Sequence, residues 1–181
     1  KEEPYFYAST VLKEEPLIAT EADEFQPLVS PDGKEIAYLE ERNILKVYNI
    51  ASKKSRTLVP EGVNFSYSDG DQDFRWSPDG KYISLQSNEG LWPMTEIALI
   101  KADGSGSRLN LTESGFIDAA PKWGFNGKAL LWATDRDGKK PLALQGAREL
   151  DIYVMFFDQE LYDRFKLNKD DYALLKEKEE N

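Results

Sequence analysis

The chain has 181 residues, a formal net charge of −10, 40% hydrophobic and 12% aromatic residues, and neither cysteine nor histidine, which is enough apolar material for one folded domain. Without cysteine there is no disulfide, thiolate metal site or sulfur nucleophile, and without histidine no Ser-His-Asp arrangement can be built within it. The acidity argues against nucleic acid and anionic membrane surfaces as partners, and no apolar run reaches the length of a membrane span.

The start, Lys1-Glu2-Glu3-Pro4, shows no signal-peptide pattern and reads as that of a processed or truncated chain. Two extended segments follow at 5–12 and 17–20, bounded by Pro4 and Pro16. Strands are then expected at 27–30, 35–40, 44–50 and 55–59, with turns at Glu41-Arg42-Asn43 and Pro60-Glu61-Gly62. An acidic loop, 68–72, leads to a strand at 74–76, the turn Ser77-Pro78-Asp79-Gly80, and a strand starting at Tyr82. A loop at 87–94 carrying Trp92 and Pro93 separates it from strands at 96–101 and 107–111. Further strands are expected at 130–134 and 151–157, separated by the turn Asp135-Arg136-Asp137-Gly138 and an excursion through Pro141 and Gly146. The periodicity then becomes helical. Asp158 is placed to cap a first helix, and Asn168 a second that carries Tyr172, Leu175 and a charged end.

The clearest local signal is DFRWSPDGKYISL at 73–85, with relatives QPLVSPDGKEIAYL at 26–39 and APKWGFNGKALLWA at 120–133. Gly33, Gly80 and Gly127 are spaced by 47 residues, as are Val29, Trp76 and Trp123, and Lys34, Lys81 and Lys128. Proline presets φ for the second turn position, aspartate suits the third and glycine the last, so each copy reads as a tight antiparallel hairpin. The third copy has Gly124-Phe125-Asn126 in place of Ser-Pro-Asp, and its Asn-Gly is itself a turn dipeptide. A repeat of this length made of short strands is the signature of a β-propeller. The expected fold is therefore all-β: a partial β-propeller of about three to four four-stranded blades with a short C-terminal helical tail. Blades are expected at 25–63, 73–114 and 119–157, a helical tail or linker at 158–181, and strands of an incomplete blade, or a strand closing a ring, at 1–24. So few blades fall short of the usual ring, so self-association or docking to further blades is expected. Trp76 and Trp123 are expected between adjacent blades.

These repeats resemble those of TolB-like proteins and tricorn-type peptidases. The later stretches LNLTESGFID (109–118), PKWGFNGKALLWATDRDG (121–138) and DIYVMFFDQELYDRFKLNKDDYALLKEKEE (151–180) are similar to the propeller of the tricorn-like serine peptidases of bacteria, notably Bacteroidetes. The resemblance covers residues 25–180 and implies a secreted or periplasmic protein. In that family, propeller blades precede a PDZ domain and a serine peptidase domain. Neither domain has a counterpart in this sequence, so no catalytic residue carries over. The implied role of the propeller is a gate or path by which peptides reach a protease. Two readings from other classes stand beside it: a stand-alone TolB-like periplasmic interaction scaffold, and a propeller hydrolase working with carboxylates and serine alone.

Arg75 and Lys122 precede Trp76 and Trp123, so strand alternation turns them to the opposite side. There they are placed to line an axial channel and attract carboxylates, or to be solvated cations on a strand edge. Trp92, on its loop, is a candidate peptide contact, or a cover for the blade rim. Asp69, Asp71 and Asp73 alternate as calcium ligands do, but Phe74 and Gly80 stand where an EF-hand needs Gly and Glu, so no metal is assigned. No cofactor is expected, and peptides or proteins are the expected partners.

Overall fold

The computed structural model describes residues 14–88, 94–143 and 148–180. Three antiparallel sheets follow one another along the chain. The first has β1 (Glu24–Val29), β2 (Glu35–Glu40), β3 (Ile44–Asn49) and β4 (Lys54–Val59), in that order. The second has β5 (Phe74–Trp76), β6 (Tyr82–Ser87), β7 (Glu96–Lys101) and β8 (Leu109–Asn110). The third has β9 (Asp118–Gly124), β10 (Ala129–Thr134) and β11 (Asp151–Phe156). Two helices close the described chain, α1 (Gln159–Phe165) and α2 (Lys169–Glu180). This is a partial β-propeller with a short helical tail. The third sheet differs from the expected four strands: among the described residues it has three, and α1 packs on β11 instead. Phe156 of β11 meets Tyr162 and Phe165 of α1 at centroid distances of 5.5 and 5.0 Å. The segment expected to be extended at 17–20 forms no strand, and the one at 5–12 lies outside the described residues.

The Ser-Pro-Asp-Gly turns have a common internal logic. In the first, the Ser30 hydroxyl donates to Asp32 (2.7 Å) and accepts from the Glu35 amide (3.0 Å), while Asp32 accepts from the Lys34 amide (3.1 Å). The second repeats it with Ser77 to Asp79 (2.6 Å), Tyr82 N to Ser77 (2.9 Å) and Lys81 N to Asp79 (3.1 Å). Serine and aspartate thereby satisfy the backbone donors that a reversal exposes. The turns also stack. A Cβ on Gly80 would sit 3.8 Å from the Pro31 ring, and one on Gly127 3.4 Å from the Pro78 ring. The third copy turns differently, with left-handed φ at Phe125, Asn126 and Gly127.

Sheets face one another through alternate residues. Ala37, Leu39, Leu45 and Val47 of the first sheet meet Phe74, Trp76, Ile83, Leu85, Ala98 and Ile100 of the second in one buried cluster. Ile97 and Leu111 of the second meet Trp123, Leu130, Trp132, Tyr153 and Met155 of the third. Trp76 is 8% exposed, and its indole N–H donates to the Leu28 carbonyl of β1 at 2.9 Å. Trp123 makes the equivalent bond to the Arg75 carbonyl of β5, longer at 3.4 Å, and is only half-buried. Val29, in the same place in the first sheet, is 57% exposed. The second and third sheets are also fastened by Asp118, wholly buried, which accepts from the Trp132 indole at 3.0 Å and whose carbonyl accepts from the Thr95 hydroxyl at 2.9 Å.

Two outcomes follow. Trp76→Ala empties an inter-sheet site and orphans the Leu28 carbonyl, so it is expected to cost about 3–5 kcal/mol and lower the thermal midpoint by on the order of 10 °C. A shift under about 2 °C in calorimetry would contradict the packing. The turn aspartates give a pH signature. The Ser30 hydroxyl, then the Lys34 amide, holds Asp32 below the usual carboxylate range, and Ser77 and Lys81 do the same for Asp79. A depressed folded value stabilises the fold above the usual aspartate range, and that contribution is lost as pH falls through the folded value. An Asp32→Asn/Asp79→Asn variant is expected to be less stable than the parent at pH 7, with the gap closing in urea titrations as pH falls below the usual aspartate range.

Candidate functional site

The strands β1, β5 and β9 lie side by side where the sheets converge, joined by the two indole-to-carbonyl bonds. On β5, Phe74 and Trp76 are buried and Arg75 between them is exposed. On β9, Lys122 is exposed between buried Pro121 and half-buried Trp123. The residues used for inter-sheet packing thus leave the alternate positions, which are cationic in both strands, turned away from the core.

A local irregularity shapes this edge. β1 is bulged between Phe25 and Leu28, with Gln26 at φ 49°, and β9 carries Ala120, at the equivalent repeat position, at φ 54°. Such a bulge re-aims a side chain out of the regular pleat. The Gln26 amide reaches across to the Gln72 carbonyl at 2.8 Å, and the Ala120 amide donates to Gln86 of β6 at 3.4 Å. Asp73 occupies the same repeat position in the second sheet, just before β5. Its carboxylate lies 3.0 Å from the Arg75 guanidinium. Burial pushes the Asp73 carboxyl above its usual range, opposed by the positive charges of Arg75 and Lys122. Both cations and the carboxylate therefore share one electrostatic environment, although they come from two sheets.

The three alternating aspartates have separate occupations. Asp69 pairs with Arg42 at 2.8 Å. Asp71 accepts from the Ser68 amide (3.0 Å), the Ser66 hydroxyl (2.9 Å), the Gln72 amide (2.9 Å) and the Tyr67 amide. Burial works against ionisation of Asp71, but these donors outweigh it and hold the carboxyl below its usual range. Asp73 faces Arg75. Among the described residues no three acidic groups converge as a metal site. Trp92 lies outside the described residues.

Two features of the site escaped the sequence reading. Asp73 belongs with the cations, a relation visible only once β9 is set beside β5. Gln26 and Gln72 join the first two sheets at this edge, and nothing in the one-dimensional pattern marks a bulge. Asp118 and Asp135 are also fully buried carboxylates, but both are committed to structure. Asp118 takes the Trp132 indole and the Ser114 hydroxyl, and Asp135 takes the Ile117 amide (3.0 Å) and Arg148. If the charge of Lys122 acts on Asp73 across the sheet boundary, Lys122→Met will raise the Asp73 titration midpoint, observed in carboxyl-carbon NMR. An unchanged midpoint would separate the two strands electrostatically.

No protein-family model matches the chain, and no curated protein matches it. Solved structures do. The chain is similar to a TolB-type protein from Agrobacterium tumefaciens, with a TM-score of 0.52 and 22% identity over 76% of this chain and 46% of that one. It is similar to the tricorn protease, with a TM-score of 0.55 and 16% identity over 74% of this chain and 14% of that one. It thus spans less than half the length of either. Among the described residues no helix is long and apolar enough to cross a membrane. The chain folds as a partial β-propeller of the kind found in TolB-type proteins and in the tricorn protease.

Proposed function

We propose that the chain is a non-catalytic propeller region of a tricorn-like serine peptidase that binds or gates peptide substrates at the edge where β1, β5 and β9 converge. Hydrolysis belongs to a peptidase domain that these 181 residues do not contain. By the same resemblance the protein works in the periplasm or is secreted, and its blades at 25–63, 73–114 and 119–157 are part of a larger ring. The observation that carries the reading is the pair Arg75 and Lys122, both exposed beside the buried Phe74, Trp76 and Pro121. An extended peptide with carboxylate side chains or a free C-terminus would be drawn to that pair, and guanidinium would hold a carboxylate bidentately. Asp73 tempers the charge, which favours selection over indiscriminate anion binding. The competing reading, a stand-alone TolB-like scaffold, would use the same fold to hold a folded partner rather than an extended chain.

The test is fluorescence anisotropy with a labelled acidic octapeptide and its amide-substituted counterpart. The acidic peptide is expected to bind, to weaken by about tenfold or more in Arg75→Glu/Lys122→Glu, and to weaken further as salt rises through the screening range. Equal binding by parent and variant would remove the axial edge from the function. Pulldown of a folded partner by both proteins alike would favour the scaffold.

A further inference from the structure

The propeller repeat allows the two inter-sheet boundaries to be compared position by position, and at one place they differ. Glu35 and Tyr82 begin β2 and β6, 47 residues apart. Ala102 and Phe157 are equivalent because each donates its amide to the lysine after the turn, Ala102 to Lys81 (2.9 Å) and Phe157 to Lys128 (2.8 Å). Arg56 and Leu109 are equivalent because they pair with Val47 and Leu99, which pair in turn with Ala37 and Ser84.

At the first boundary these positions make a charged staple, which forms one wall of an open cavity of about 520 Å³. Arg56 donates to both Glu35 oxygens at 2.7 and 2.6 Å, and from Nε and Nη2 to the Ala102 carbonyl at 2.8 and 2.5 Å. One guanidinium thus ties the first sheet to the second, and it holds the Glu35 carboxyl below its usual range. At the second boundary Glu35 is replaced by Tyr82, Arg56 by exposed Leu109, and Ala102 by Phe157, which is 46% exposed. The corresponding cavity there is smaller, about 380 Å³, and is lined by Tyr82, Leu99, Trp123 and Phe157 together with Asp79 and Lys128. Trp123 and Phe157 stand 5.9 Å apart, centroid to centroid. That volume falls within the range of small-ligand pockets.

We propose that this crevice is a binding subsite for an arginine side chain of a polypeptide partner. The fold itself shows which group fits the gap between neighbouring sheets at this height, since Arg56 occupies the equivalent place one repeat earlier. The lining suits the same group. Three aromatic residues line it, and aromatic rings attract a guanidinium, which is weakly hydrated and stacks more readily than an ammonium. Asp79 supplies negative charge at the rim and stays ionised because Ser77 and the Lys81 amide hold it so. Lys128 opposes a cation, but it is paired with Asp158 at 3.0 Å. The site is separate from the axial edge, whose cations do not line it.

The experiment uses the whole chain and two blocked tripeptides, acetyl-Gly-Arg-Gly-amide and acetyl-Gly-Leu-Gly-amide. The indole N–H signal of Trp123 is followed by NMR. The arginine peptide is expected to shift that signal saturably and the leucine peptide to leave it in place. Phe157→Ala is expected to weaken arginine binding by about tenfold, the scale of one desolvated cation–ring contact. Lys128→Gln is expected to tighten it, a gain that a merely damaged fold would not produce. Equal binding of the leucine peptide would make the crevice a general apolar subsite and overturn the proposal. So would the lack of a saturable shift, or a Lys128→Gln variant that binds no more tightly.

Discussion

The tryptophan that each inner strand lends to its predecessor is the contact on which the remainder depends. A buried indole must find an acceptor for its N–H, and a bond to a main-chain carbonyl leaves little freedom in where the neighbouring strand can lie. Trp76 meets the Leu28 carbonyl and Trp123 the Arg75 carbonyl, in each case the residue just before the equivalent position one sheet earlier. The bond fixes the offset between sheets, and that offset brings each Pro ring over the next turn's glycine. It also lays Ile83, Leu85, Ala98 and Ile100 against Ala37, Leu39 and Val47. Turn, indole and apolar face therefore specify the same arrangement. Each fully buried aliphatic side chain in that face contributes roughly 1.5–3 kcal/mol, so the boundary between the first two sheets is the stronger one.

The fold was legible because the signals that make it are local and repeated. Serine, proline, aspartate and glycine act within six residues of one another, and the spacing of 47 registers them without knowledge of any contact. The caps of the tail were legible for the same reason. Asp158 accepts from the Leu161 amide and Asn168 from the amides of Asp170 and Asp171, bonds confined to one helical turn. What the sequence concealed depends on neighbours far along the chain. The bulge at Gln26, the partnership of Asp73 with Lys122, and the three-stranded third sheet closed by α1 have no local pattern. Trp123 was expected to be as buried as Trp76. It is not, because the second boundary is built from fewer aliphatic groups and leaves a crevice beside the ring.

The two boundaries show that one backbone arrangement admits two different chemical solutions. An Arg–carboxylate fork with two further bonds to a carbonyl spans the first; aromatic rings line the second. Desolvating a charged pair is costly unless most of its hydrogen bonds are made, and Arg56 makes four, two to Glu35 and two to the Ala102 carbonyl. Replacing only one member would leave a half-buried charge without its partner. The two charged positions change together between the repeats, as that constraint requires, whereas Ala102 contributes only a carbonyl that any residue supplies.

The inner strands carry the link from packing to function. On β5 and β9 every second side chain is committed to a neighbouring sheet, and the pleat forces the intervening ones to face away. Arg75 and Lys122 therefore cost the core nothing, and their identity is free of the packing constraint that governs Phe74, Trp76, Pro121 and Trp123. Asp73 is the exception, because it stands just before β5 at the repeat position of Gln26, half inside, and its charge is the one that burial disfavours. A carboxylate kept there against its desolvation is best accounted for by the two cations it faces. It reduces their mutual repulsion and pairs with the Arg75 guanidinium at 3.0 Å. Alternation thus explains how two cations from different sheets come to share one edge without entering either core.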